Sequence, residues 1–183
     1  MSHRLASLLR ADPIVMRVLA AVREAGPDDA FVAAGFVRNR VWDSFYPENK
    51  APSDLDIDVV YFNENRTDKC FEREFELQLD DALPTGIWQV RNQARMHTFG
   101  GHAPFESLAH GLQHWAETAT TVGVRLDADD DFEFIAPFGF DDLWGHILRI
   151  TPIMRRTDPE GFDARLARKG WLERWPKLIV VRS

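Results

Sequence analysis

The chain has 183 residues, 45% of them hydrophobic, with six Trp, thirteen Phe, one cysteine and a formal net charge of −7. That length and apolar content suffice for one compact domain with a buried core. The lone Cys70 excludes an intramolecular disulfide and a cysteine-based zinc centre, and the acidic balance disfavours broad, non-specific binding of nucleic acid. The sequence contains no apolar run of about 18 residues to span a membrane. Its first ten residues lack the apolar centre of a secretory signal. A cytoplasmic location and no membrane partner are therefore expected.

The charge is uneven. Residues 127–142 are strongly acidic, whereas the tail after Arg149 carries Arg155, Arg156, Arg165, Arg168, Lys169, Arg174, Lys177 and Arg182. A local surface facing phosphate is compatible with that tail.

Taken in order, Leu5, Leu8 and Leu9 predict a short first helix. Asp12-Pro13 reads as an N-cap followed by proline at the first helical position, and residues 14–24 carry Val15, Val18, Leu19 and Val22 at helical spacing. Residues 30–34 form a short apolar run, read as a buried strand ending at Gly35. A helix follows over 36–45, then a loop over 47–52. Residues 56–62 give the clearest strand, rich in β-branched and aromatic side chains. Phe71, Phe75 and Leu79 predict a helix over 67–83. A strand is expected at 87–90, a helix at 104–115, and two strands at 122–126 and 132–135 joined by an acidic turn. Helices are expected again through 148 and over 158–175, with an extended end at 177–181. The mixture lacks strict strand–helix alternation, which favours an α+β fold with a mixed sheet. One domain is expected over 1–183, with N-terminal helices in 1–28 and a C-terminal helical extension in 149–183.

Asp56 and Asp58 point to the same face of their strand. Like charges so close need a counter-ion, either Arg or Lys at the strand mouth or a divalent metal. Mg²⁺ suits a few carboxylates combined with substrate phosphate oxygens. Asp54 is either a third ligand or part of a Ser53-Asp54 turn. Ala33-Ala34-Gly35 leads from a strand into a helix, where glycine permits close backbone approach and the helix start offers free N–H groups. Arg38 and Asn39 in the first turn either face an anion or are solvated. Arg95 is read as a phosphate clamp and His97 as an acid or base, or the two belong to a structural turn with Asn92. His110 and His114 have metal-compatible spacing but read as a solvated face.

The pieces Ala33-Ala34-Gly35-Phe36-Val37-Arg38-Asn39, Asp56-Ile57-Asp58-Val59-Val60-Tyr61-Phe62, Asn92-Gln93-Ala94-Arg95-Met96-His97 and Ala136-Pro137-Phe138-Gly139 with Asp141-Asp142-Leu143 occur in that order. Together they resemble a bacterial nucleotidyltransferase-like family of the superfamily that includes DNA polymerase beta. The resemblance implies a nucleotidyltransferase-like mixed sheet flanked by helices. It implies Mg²⁺ (or Mn²⁺) held by Asp56 and Asp58, an NTP as substrate, Gly35 as the phosphate-approach glycine, and transfer to a hydroxyl acceptor. Three departures stand out. Phe36 replaces the usual Ser or Gly, and the loop to the aspartate pair is long. The third carboxylate position falls near Asn92, with Glu133 as a substitute. They leave two alternatives beside the enzyme: a degenerate module that senses a nucleotide, and a toxin–antitoxin or RNA-interacting protein using the basic tail.

Overall fold

The computed structural model describes residues 1–48, 56–84 and 86–183. Part of the loop expected at 47–52 lies outside these residues, as does Asp54. The chain begins with α1 (Ser2–Arg10) and α2 (Pro13–Ala25). Asp12 caps α2 as its sequence foretells, accepting from the Ile14 amide at 2.9 Å. Val15, Val18, Leu19 and Val22 form the buried stripe of α2.

Strand β1 (Phe31–Ala33) leads directly into α3 (Gly35–Asp43). Next come β2 (Asp56–Tyr61), α4 (Lys69–Ala82), β3 (Ile87–Asn92) and the single turn α5 (Gln93–Met96). After α6 (Leu108–Gln113) and a 3₁₀ turn at Thr118–Thr120, β4 (Gly123–Leu126) and β5 (Phe132–Ile135) form a hairpin. The chain ends with α7 (Asp141–Trp144), β6 (Ile147–Arg149), α8 (Pro152–Thr157), α9 (Pro159–Lys169), α10 (Trp171–Arg174) and β7 (Ile179–Val181).

Within the described residues the strands form a five-stranded sheet in the order β3-β2-β1-β4-β5. Strand β2 runs parallel to β3 and antiparallel to β1, so the sheet is mixed and the fold is α+β, as expected. The pleat divides β2. Ile57, Val59 and Tyr61 enter the main core with Val32, Val90 and Val124, beneath α1 to α4. Asp56, Asp58 and Val60 lie on the opposite face. There Val60 and Ala33 pack against Leu112, and that smaller cluster covers only part of the face. Burying each large apolar side chain of the first face contributes about 1.5–3 kcal/mol, which fixes the register.

Three segments differ from the sequence reading. The helix expected through 148 is one turn, α7, followed by β6, because Ile147 to Arg149 pair in parallel with β7. The helix expected over 158–175 is broken at Gly170, which adopts a left-handed conformation (φ 60°) between α9 and α10. Residues 104–115 yield only the short α6. The C-terminal helices are integral to the core, since Phe162, Trp171 and Trp175 are buried in the main cluster.

The turn from β1 into α3 is strained. Ala34 has φ 58° and ψ −133°, a region disfavoured for any residue with a Cβ. Ala34→Gly should relieve that strain and raise stability by about 1 kcal/mol despite the flexibility it adds to the unfolded chain. Thermal denaturation should show a melting temperature higher by about 2–4 °C.

Candidate active site

The turn at Ala34 aims the start of α3 along the face of the sheet that carries the aspartates. Between them lies a cavity of about 620 Å³. Gly35, Arg38, Asn39, Asp56 and Asp58 all line it, so the structure brings together five residues that sequence reasoning had grouped from two separate segments. A Cβ built on Gly35 would approach nothing closer than 3.6 Å, at Arg38 and Asn39. The unusual backbone is thus at Ala34, and glycine at position 35 leaves the cavity side of the turn open. Phe36 is 1% exposed and packs in the core. It removes nothing from the cavity wall, because its side chain points away from it.

Asp58 is half-buried, and burial, then the neighbouring charge of Asp56, raise its pKa. Among the described residues neither the Asp56 nor the Asp58 side chain has a hydrogen-bond or ion-pair partner, although the charges of Arg91, Lys169 and Arg165 oppose the rise at Asp58. The reading of a strand mouth paired with Arg or Lys therefore does not hold for these residues. Strand β3 sets Gln89 directly beside Asp58, and Gln89 also lines the cavity.

Facing the aspartates is a cationic wall. Arg38 is 4% exposed. Its Nε and one terminal nitrogen donate to Asn39 Oδ1 at 3.1 and 2.8 Å, and the other donates to Thr120 Oγ1 at 3.0 Å. Its guanidinium lies 4.5 Å from the Trp171 ring centroid. Burial pulls the Arg38 pKa down to about 10, opposed chiefly by the charge of Glu117, so the group stays protonated at neutral pH. Arg165 and Lys169 of α9 and Arg174 of α10 complete the wall. Asp43 at the end of α3 holds α10 in place, accepting from Arg174 at 2.9 Å and from Trp175 Nε1 at 2.8 Å.

The remaining sequence candidates are not part of this cavity. Asn92 is fully buried on the helix-packed face, beside Tyr61 in the parallel register, where its side chain accepts from the amides of Asn63 and Ala94. It cannot stand next to Asp58, because the pleat turns it to the other side of the sheet. Arg95 makes a two-pronged ion pair with the buried Glu72 and does not line the cavity. His97 Nδ1 is 2.9 Å from the carbonyl of Ala94, within the turn that follows β3. Glu133 shares the aspartates' face but sits on β5, three strands from β2, paired with Arg125 at 2.6 Å. Glu117, Thr120 and Trp115 line the cavity without having been singled out for it.

A family model described as nucleotidyltransferase matches residues 20–180. The chain belongs to that nucleotidyltransferase family. A search of curated proteins found no match. Among solved structures, the chain is similar to an NMR structure described as revealing a CCA-adding enzyme head domain, with 31% identity, a TM-score of 0.85, and coverage of 99% of this chain and 96% of that one. A CCA-adding enzyme in complex with CTP matches with 19% identity and a TM-score of 0.53 over 93% of this chain and 47% of that one. The Thermotoga maritima CCA-adding enzyme complexed with tRNA matches with 20% identity and a TM-score of 0.52 over 93% and 46%. The chain thus spans under half the length of those two enzymes, and their likeness is one of fold. No helix among the described residues is long and apolar enough to cross a membrane.

A carboxylate with a raised pKa costs folding stability once pH exceeds its unfolded value near 4, and the full cost is present above the raised folded pKa. Asp58→Asn should accordingly be more stable than wild type at pH 7 in chelator. Urea denaturation should show that advantage shrinking as pH falls through the carboxylate range.

Proposed function

We propose that the protein transfers a nucleotidyl group from a nucleoside triphosphate to a hydroxyl acceptor, with Mg²⁺ or Mn²⁺ at Asp56 and Asp58. The observation that carries this reading is the pairing, across one cavity, of a cationic wall with two aspartates that have no side-chain partner among the described residues, at the open start of α3. The all-oxygen donor set suits Mg²⁺. No group of three His, Cys, Asp or Glu side chains able to hold a metal exists among the described residues, so phosphate oxygens and water would complete the shell. When bound, such ions would lower the charge on the reacting phosphate and on the departing pyrophosphate.

In this reading the acceptor hydroxyl gives up its proton to solvent water, its oxygen bonds to the α-phosphorus, the bond to the bridging oxygen of the β-phosphate breaks, and pyrophosphate leaves. Arg38, Arg165, Lys169 and Arg174 hold the β- and γ-phosphates and take up the growing negative charge. Asn39 fixes the Arg38 guanidinium. Gly35 keeps the turn open so that α3 amides can meet phosphate. Three basic residues of the tail face this cavity, which attaches that part of the tail's charge to the nucleotide rather than to a separate RNA surface.

A second reading, a module that binds nucleotide without turnover, is favoured by Gln89. The amide occupies the neighbouring-strand place beside Asp58 and cannot accept a proton from the acceptor.

Incubation with labelled ATP, GTP, CTP and UTP, with RNA 3′ ends, small hydroxyl compounds and proteins as acceptors, should give transfer that falls by about 10²–10³ in Asp56→Ala and Asp58→Ala. Turnover that persists unchanged in both variants would sink the mechanism. Mg²⁺-dependent binding without turnover would select the second reading.

A further inference from the structure

Glu117 is a carboxylate with no exposed surface, placed in a cavity wall otherwise suited to anions. It is shielded from solvent. Its Oε1 accepts from Arg165 Nε at 2.6 Å. Its Oε2 accepts from the Thr120 hydroxyl at 2.9 Å, and that hydroxyl in turn accepts from Arg38 at 3.0 Å. One carboxylate therefore ties together two guanidiniums from segments far apart in sequence, Arg38 on α3 and Arg165 on α9. Its own backbone is anchored by a bridge to Ile150. Both guanidiniums also lie over the Trp171 ring, at 4.5 and 5.3 Å, so the ring is a second contact for the two cations that Glu117 ties together.

Burying a carboxylate is costly unless its lone pairs are used. Here both oxygens are used, and each bond fixes the orientation of a cation or of the hydroxyl that holds one. We infer that Glu117 is a positioning residue: directly through Arg165, and through Thr120 to Arg38, it sets the cationic wall at a fixed distance from Asp56 and Asp58 before a polyphosphate enters. The inference rests on the nucleotidyl-transfer reading of the cavity and adds to it the group that preorganises the phosphate side.

The sign of one substitution separates positioning from simple charge. Glu117→Gln removes a negative charge from the cavity, and Coulomb attraction alone then strengthens the binding of a polyanion. Positioning requires the opposite. Calorimetry with inorganic tripolyphosphate and Mg²⁺ should show Glu117→Gln weakening affinity by about tenfold, the worth of one charge-assisted hydrogen bond. Thr120→Val keeps the Glu117–Arg165 pair and cuts only the relay to Arg38, so it should weaken affinity by a smaller factor, about threefold. It also carries the test if Glu117→Gln fails to fold. In the protein without ligand, ¹⁵N NMR should show slowly exchanging Nε–H signals for Arg38 and Arg165. Exchange of the Arg165 signal should accelerate in Glu117→Gln and stay slow in Thr120→Val. Affinity that rises or is unchanged in the folded variants, or arginine signals indifferent to Glu117→Gln, would overturn the inference. Absence of nucleoside triphosphate binding by the wild type would instead overturn the reading of the cavity, while the arginine signals would still report on Glu117.

Discussion

Asp58 cannot leave the cavity unless Ile57 and Val59 leave the core. The three residues are consecutive, and the pleat sends them to opposite sides of the sheet. The apolar pair is essentially unexposed, so several kcal/mol of burial hold the strand in a single register. Everything on the open face inherits that precision. Ala33 stands opposite Asp58 on β1 and Gln89 stands beside it on β3, so the distance from the aspartates to the turn at Ala34 is set by backbone pairing rather than by a mobile loop. A half-buried carboxylate with no side-chain partner among the described residues is a local cost, and the core beneath it bears that cost.

The opposite wall is built differently. Its cations come from α3 and from the last helices of the chain, and it depends on side-chain ties: Asp43 to Arg174 and Trp175, Glu117 to Arg165. Gly170 turns the chain between α9 and α10 so that Lys169, Trp171 and Arg174 can all face one space. The β6–β7 pair then secures the end of that segment. The site therefore joins a rigid half, made by the sheet, to a half whose geometry rests on ion pairs and stacked rings.

Much of this was legible in the sequence where local pattern and tertiary role agree. The stripe of α2, the strand carrying Asp56 and Asp58, the hairpin of β4 and β5, and the convergence of Gly35 with the aspartates all follow from periodicity and from the chemistry of the motifs. The failures have common causes. Arg95 looks like a free cation until Glu72, twenty-three residues earlier on α4, is seen to hold it. Asn92 is the place to which the family resemblance assigns the third carboxylate, and only the register shows that it points to the other face. Residues 141–149 have helical composition, yet pairing with β7 turns their second half into a strand. Glu117 lies in Trp115-Ala116-Glu117-Thr118-Ala119-Thr120-Thr121, which has no clear period. The one available signal was a dense run of threonines and an acid between apolar segments, and burial of such groups requires partners that a sequence does not name.

The two walls also give the cavity a direction. Negative charge is gathered on the sheet and positive charge on the helices, so the space between them carries a standing electric field rather than a uniform potential. A ligand of one sign is attracted to one wall and repelled by the other. A ligand with separated charges, cationic at one end and anionic at the other, is turned to a single orientation as it enters. The site discriminates by polarity along an axis, and that axis was laid down when β2 sent alternate side chains to opposite sides of the sheet.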